Sequence, residues 1–294
     1  MSDRWLIIGA FAAVYFIWGS TYLFNYLAIQ SIPPFLMSGT RFLVAGSLLY
    51  AWGSIRKEPV PTAVHWRNSF LIGTLFLTLG TGAIVWAMQW IDTGMAALLV
   101  AIDPLLIMLL LWLVVGQRPQ WRGLFGALIG VGGMAILVGQ PQFANTPAER
   151  WGLVAIGVAL TAWALASIYV SRLDLPNSRL RRSALQMLAG GIGLSLFSLA
   201  TGEATTFRWS SLTESSAFSW VYLIVFGSLV AFSSFNFLLS KVSPEKVATS
   251  TYVNPVVALF LGWGYNGEVI SGQSLVAGMV LLTGVFFINT GKGH

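Results

Sequence analysis

Residues 93–115 read TGMAALLVAIDPLLIMLLLWLVV, apolar throughout except for Asp103, and residues 244–265 read PEKVATSTYVNPVVALFLGWGY. A shift of 151 positions lays Ile102-Asp103-Pro104-Leu105 on Val253-Asn254-Pro255-Val256. Without a gap it also lays Gly116-Gln117 on Gly267-Glu268 and Gly133 on Gly284. Nearer the N-terminus a shift of 145 sets Trp18-Gly19 on Trp163-Ala164 and Phe24 on Tyr169. At 1.5 Å of rise per residue, a run like 93–115 crosses a hydrocarbon layer of about 30 Å. The chain therefore repeats a set of membrane spans, and the repeat decides the fold.

Breaks where charge, proline and short polar clusters coincide divide the sequence into spans near 5–29, 33–55, 67–90, 93–115, 121–139, 151–171, 181–201, 217–240, 244–265 and 272–290. Each half then holds five spans: residues 1–140 form the first repeat and 150–294 the second, in one integral membrane unit. Five is odd, so the second copy enters the bilayer from the opposite side. The expected fold is all-α and polytopic, with ten transmembrane helices as two inverted five-helix repeats around a central cavity. One pattern folded in both orientations can supply an inner and an outer gate, which is the sequence mark of alternating access.

Composition agrees. The 294 residues are 56% hydrophobic and only 9% charged, with a mean hydropathy of +0.76. A soluble domain carries roughly 25% charge, so a water-soluble globule is excluded. The first span follows Asp3-Arg4 and has Tyr15, Phe16 and Trp18 where a signal peptide needs small residues, so it reads as an uncleaved helix. With the N-terminus inside, thirteen of the 16 Lys and Arg residues fall in inner segments; only Arg150 and Arg208 fall outside, and Arg41 lies within a span. That bias places both termini in the cytoplasm. The net charge of +6 is thereby spent on topology, and no nucleic-acid partner is implied. With no cysteine, disulfides, thiolate catalysis and thiolate metal sites are excluded.

Thirteen tryptophans divide by depth. Trp5, Trp52, Trp66, Trp90, Trp121, Trp151, Trp209, Trp220 and Trp263 sit at span ends and Trp112 close to one, as an aromatic belt requires. Trp18 and Trp163 instead lie about 13 residues, roughly 20 Å, inside their spans from opposite faces. They are symmetry mates near mid-membrane, and Trp86, matched by Phe237, is intermediate. Aromatic faces there either stack on an apolar solute or pack within the bundle. Tyr22 and Asn25 in the first span, Thr78 in the third, Tyr169 in the sixth, Asn236 in the eighth, and Tyr252 and Asn254 in the ninth add polar groups that need partners in lipid. Helices one, three, six, eight and nine are thus expected to line a wet cavity. Helices five and ten carry Gly123, Gly126, Gly130, Gly133, Gly278 and Gly284, a small-residue face for close packing within the chain or against a second copy.

Two ionisable groups lie deep in spans. Arg41 and Asp103 fall roughly 12 and 15 Å below the same face, and each costs about 2.5–3.5 kcal/mol or more at a helix centre if left alone. Both charges are missing from the second half, where Gln186 and Asn254 stand instead. Joint absence points to a structural or gating ion pair. The alternatives are Arg41 holding a substrate carboxylate, snorkelling, and an unpaired, proton-coupled Asp103. Pro104 and Pro255 each remove a backbone donor in mid-span and are hinge candidates, as are Gly80 and Gly82 in the third helix.

Trp18-Gly19-Ser20, Pro34 followed by Arg41-Phe42, Asp103-Pro104, and their echoes Trp163-Ala164 and Asn254-Pro255 resemble the EamA-type drug/metabolite transporter superfamily. The resemblance covers almost the whole chain. Within the superfamily, length and aromatic content are most similar to bacterial aromatic amino-acid exporters of the YddG type. Such a resemblance implies a ten-helix basket in the bacterial inner membrane. It implies export of amino acids, aromatic or otherwise bulky and apolar, and related metabolites. The alternatives are a drug or nucleoside exporter of the same fold and a channel-like facilitator. The expected partners are a small-molecule substrate and the lipid bilayer, with a monomer expected and a dimer as the alternative. No cofactor or metal is expected. An intramembrane enzyme lacks its equipment: the histidines are His65, in a loop, and His294, and no serine has a His or Lys beside it in the membrane.

Overall fold

The computed structural model describes residues 3–91, 93–139, 146–266 and 271–290. The loop from Gln140 onward, the Gly267-Glu268 repeat match, Lys292 and His294 lie outside the described residues, as does the side chain of Trp263. Everything described is helix or short connection. The long helices are α1 (Asp3–Ile29), α2 (Pro34–Ile55), α3 (Ala63–Ala87), α4 (Thr93–Val100, then Asp103–Val115), α5 (Trp121–Val138), α6 (Pro147–Tyr169), α7 (Arg179–Ala200), α8 (Glu214–Leu239), α9 (Pro244–Val247, then Ser250–Asn266) and α10 (Gly272–Thr290). Among the described residues, eight helical segments are long and apolar enough to cross a membrane. They belong to α1, α3, α4, α5, α6, α7, α8 and α10. α2 is outside that set, its apolar character diluted by Ser38, Thr40 and Arg41, and so is α9, whose longer piece has 17 residues and carries Thr251 and Asn254.

Local sequence sets several helix starts. Thr62 and His65, and Thr146 and Glu149, form reciprocal capping boxes at α3 and α6. Ser178 accepts from the Arg181 N–H at the start of α7. α2 begins after Pro33 with no cap of its own, and the Glu203 carboxylate just beyond α7 accepts the Leu36 N–H at 2.9 Å.

Packing follows the glycines. α2 lies along α7 and α5 along α10, the most extensive helix pairings in the molecule. Hydrocarbon gives helices no hydrophobic drive to associate, so small residues that let backbones approach decide which faces meet. A Cβ on Gly126 would stand 2.7 Å from the Gly284 carbonyl oxygen, and one on Gly284 would stand 2.6 Å from that of Gly126. Gly46 is equally tight against the α7 backbone at Leu188. The small-residue face of α5 and α10 is therefore used within the chain. Around the molecule, large apolar side chains such as Leu113 and Met279 point outward, 68% and 63% exposed. The largest cluster of buried apolar residues joins α1, α2, α3, α6, α7 and α8 around Phe42, Phe76, Leu194 and Phe232.

Two local departures from α-helix fall at matching places. Thr74–Thr81 in α3 and Leu223–Phe232 in α8 are π-helical. The Thr81 hydroxyl donates to the Phe76 carbonyl five residues back, at 3.3 Å, which supports the widened turn. The prolines behave differently from expectation. α4 breaks at 101–102 and restarts with Asp103-Pro104, where a missing N–H is harmless because the first helical N–H groups have no partner anyway. Pro255 sits inside the continuous second piece of α9, whose break falls earlier, at 248–249. The two kinks are thus unequal. Gly80 and Gly82 serve as seats: a Cβ at Gly80 would meet the Trp163 ring at 2.9 Å, and one at Gly82 would meet Leu194 at 2.3 Å.

Replacing Gly126 by Ala inserts a methyl group against backbone that cannot turn aside. A loss of about 1–3 kcal/mol is expected, seen as a lower unfolding temperature in detergent. Gly132→Ala is the control, because a Cβ there meets nothing within 4 Å; equal melting of the two variants would refute the packing account.

Candidate functional site

Seven helices leave a cavity of about 140 Å³ between them. Its size is comparable to that of engineered cavities of roughly 150 Å³ that accept a benzene ring. The wall comprises Trp18, Thr21, Tyr22 and Asn25 of α1, Arg41 and Phe42 of α2, and Leu77, Thr81, Ile84 and Val85 of α3 with Met88 just beyond it. Val100, Asp103 and Ile107 of α4, Leu160, Trp163 and Ser167 of α6, Gly227, Phe232 and Phe235 of α8, and Pro244, Ala248, Ser250, Thr251 and Asn254 in and around α9 complete it. Among the described residues, α5, α7 and α10 contribute nothing to it. The five helices expected from their polar content are joined by α2 and α4 through the two charged residues.

One wall is aromatic. The Trp18 and Trp163 rings meet edge to face, with centroids 5.7 Å apart and planes at 71°. Phe235 lies 4.9 Å from Trp18 and 5.4 Å from Trp163, and Phe76 stands 4.9 Å from Trp163. Edge-to-face contacts place the positive ring edge on a neighbour's negative face, so the cluster is a set of fitted quadrupoles. The Trp18 Nε1–H donates to the Gly227 carbonyl at 3.4 Å, which fixes the ring against α8.

The other wall carries charge. Arg41 is 4% exposed and Asp103 3% exposed. The Arg41 Nε–H donates to the Ser228 hydroxyl at 2.8 Å and an Nη1–H to the Asn25 Oδ1 at 3.3 Å. Gly227 makes room for this fork, since a Cβ there would stand 2.7 Å from Nη2. Arg41 and Asp103 do not form the ion pair expected from sequence: no bridge within 4.0 Å joins them among the described residues, where the one contact between a basic and an acidic side chain at that distance is the His65 Nε2 to Asp174 Oδ1 approach of 3.4 Å. The physical reason is that Ser228 and Asn25 hold the guanidinium toward α8 and α1. The Asp103 Oδ1 is buried without any hydrogen-bond partner.

Trp18, Tyr22, Asn25, Arg41, Asp103, Trp163 and Asn254 therefore share one cavity. Six other expected residues lie elsewhere. The Thr78 hydroxyl donates to the Gly190 carbonyl at 3.2 Å, between α3 and α7. Trp86 is parallel to Phe35 at 6.4 Å and edge-on to Trp90. Tyr169 packs on the central core. Asn236 donates to the Ser183 hydroxyl at 3.4 Å, and Phe237 carries the Arg179 guanidinium 4.3 Å above its ring. The Tyr252 hydroxyl donates to the Ala127 carbonyl at 3.0 Å, its ring filling the hollow at Gly130. Each packs or bonds against a neighbouring helix, although the Asn236 Oδ1 is left without a hydrogen-bond partner. Sequence reasoning missed Gly227, Ser228, Phe76 and Phe235. A lone Ser or Phe in an apolar run carries no signal, and the π-helical turn in α8 rotates that face out of ordinary helical register. No group of three His, Asp or Glu that could hold a metal is present among the described residues.

Ser228→Ala leaves a buried guanidinium short of one acceptor. Hydrogen bonds to charged groups contribute about 1.5–3 kcal/mol, so a clear fall in thermal stability in detergent is expected. Ser54→Ala, which removes an exposed hydroxyl bonded within its own helix, should stay within roughly 0.5 kcal/mol of the parent.

The EamA-like transporter family model matches residues 4–139 and again residues 150–290. The chain is 36% identical over 97% of its length to "Uncharacterized inner membrane transporter YedA" of Escherichia coli (strain K12), covering 91% of that protein. It is 26% identical over 69% of its length to the "Probable terminal-alkyne amino-acid exporter" of Streptantibioticus cattleyicolor, covering 66% of it. A solved crystal structure matches over 96% of both chains with a TM-score of 0.77 and 20% sequence identity, a likeness of fold alone.

Proposed function

This chain belongs to the EamA-like transporter family, and on that premise we propose that it exports amino acids, aromatic or otherwise bulky and apolar, by alternating access. The observation that carries the reading is the cavity in which Trp18 and Trp163, counterparts in the two repeats, meet beside polar and charged groups. An indole or phenyl side chain finds aromatic faces there, while the polar end finds hydrogen-bond partners. A relative named as a probable amino-acid exporter supports the substrate class. The subfamily proposed with this reading is that of the YddG-type aromatic exporters.

The proposed architecture is ten spans in two inverted halves in the bacterial inner membrane, with both termini cytoplasmic. α2 and α9 are then the two further crossings, with Arg41 of the first and Ser250, Thr251 and Asn254 of the second in the cavity wall. Support comes from reciprocity: α2 pairs with α7 and α5 with α10, each with its counterpart, while α1 packs on α9 and α6 on α4. The π-helical turns at matching places in α3 and α8 support it too. So does a family model that matches each half. A relative described as an inner membrane transporter supports the location. Unequal breaks in α4 and α9 mean that two similar halves hold different conformations. Exchanging those conformations would open the cavity to the other face, which is how inverted repeats transport without a second binding site.

The purified chain reconstituted in liposomes loaded with unlabelled L-tryptophan should accumulate labelled tryptophan by saturable counterflow. Trp163→Ala should weaken competition by aromatic amino acids roughly tenfold and by alanine much less. Flux of nucleosides or cationic drugs with none of any amino acid would assign the alternative substrate class. Flux with no counter-substrate stimulation would indicate a channel.

A further inference from the structure

The cavity holds two opposite charges that do not meet. Arg41 and Asp103 are both more than nine-tenths buried and both line the same space, yet no contact within 4.0 Å joins them. Two opposite charges in a low-dielectric hollow attract strongly, so their separation requires restraint. Ser228 and Asn25 supply it, holding the Arg41 fork by Nε and Nη1 and leaving its remaining donors without a protein partner among the described residues. Asp103 sits on a different helix with Oδ1 unpaired. The second half repeats neither charge: Gln186 and Asn254 occupy the matching positions, so the chain has one such set of poles.

We infer that Arg41 and Asp103 are the two poles of a zwitterion site, Arg41 taking the carboxylate and Asp103 the ammonium of one amino acid whose side chain rests on the Trp18–Trp163 wall. The assignment deepens the amino-acid reading above and rests on it. A zwitterion placed between the two neutralises both buried charges at once, with the open guanidinium donors on its carboxylate and the Asp103 carboxylate on its ammonium. A ligand with only one charge leaves the opposite protein charge buried and alone, which makes a site of this kind reject it. The two residues thus determine specificity for the amino-acid backbone, while the aromatic wall selects the side chain. Asn254 also lines the cavity with its Oδ1 unpaired, a further neutral acceptor in the same space.

Competition for labelled L-tryptophan in wild-type proteoliposomes tests this without any variant. Tryptamine lacks the carboxylate and indole-3-propionate lacks the ammonium; each should compete at least about tenfold more weakly than L-tryptophan. The variants should then separate the poles. With Arg41→Gln, tryptamine and tryptophan should compete nearly equally. With Asp103→Asn, indole-3-propionate and tryptophan should do so. Arg41→Lys, which keeps the charge, should retain the preference for tryptophan over tryptamine. Equal competition by all three compounds in the wild-type protein overturns the inference, as does a loss of discrimination that is the same in both neutral variants. Transport of another solute with no binding of any amino acid would instead remove the functional reading on which the inference stands.

Discussion

Hydrocarbon offers no hydrogen bonds, and every feature of this molecule answers that constraint. Backbone groups are satisfied inside helices, and hydroxyls of Thr40, Thr201 and Thr290 fold back onto carbonyls of their own turns. What remains is the problem of bringing helices together without a hydrophobic drive. Glycine solves it at Gly126 and Gly284, where the two backbones touch, and at Gly46 and Gly191, where α2 and α7 do. Of these four helices only α2, among the described residues, reaches the cavity wall, with Arg41 and Phe42.

Inside that frame, polar groups are either consumed or kept open. Tyr252 reaches across to Ala127, Thr78 to Gly190 and Asn236 to Ser183; each bond ties one helix to the next. Arg41 is treated differently. Its fork is anchored at two points and lines the same cavity as Asp103, whose Oδ1 has no hydrogen-bond partner. Unsatisfied charge is expensive in a dry interior, so its persistence in a cavity wall marks a place prepared for a ligand. Aromatic contacts on the facing wall complete a surface with an apolar side and two ionic ends.

The family resemblance and the physical reading meet at the same residues. Of the residues that carried the resemblance, Trp18, Arg41, Phe42, Asp103, Trp163 and Asn254 line the cavity, whereas Gly19, Ser20, Pro34, Pro104, Ala164 and Pro255 are not among its lining residues. Gly19 has a packing role: a Cβ there would meet the Asn254 carbonyl oxygen and Val257 at 3.0 Å. The widened turns of α3 and α8 add a feature no motif records. They alter which side chains face inward, placing Gly227 beneath the Arg41 fork and Ser228 at its Nε.

Helix class, the placement of most spans, and the singling out of Trp18, Trp163, Arg41 and Asp103, which line one cavity, were legible in the sequence, because apolar length and charge scarcity act along the chain and need no partner. The partners themselves were not. Arg41 bonds to Ser228, far along the chain, rather than to Asp103, and Tyr252 turns from the cavity into a hollow left by Gly130. Both outcomes depend on how helices distant in sequence rotate against one another. Rotation is set by which small residues permit backbone contact and by where a turn widens, and those are properties of pairs of surfaces, which only the tertiary structure brings together.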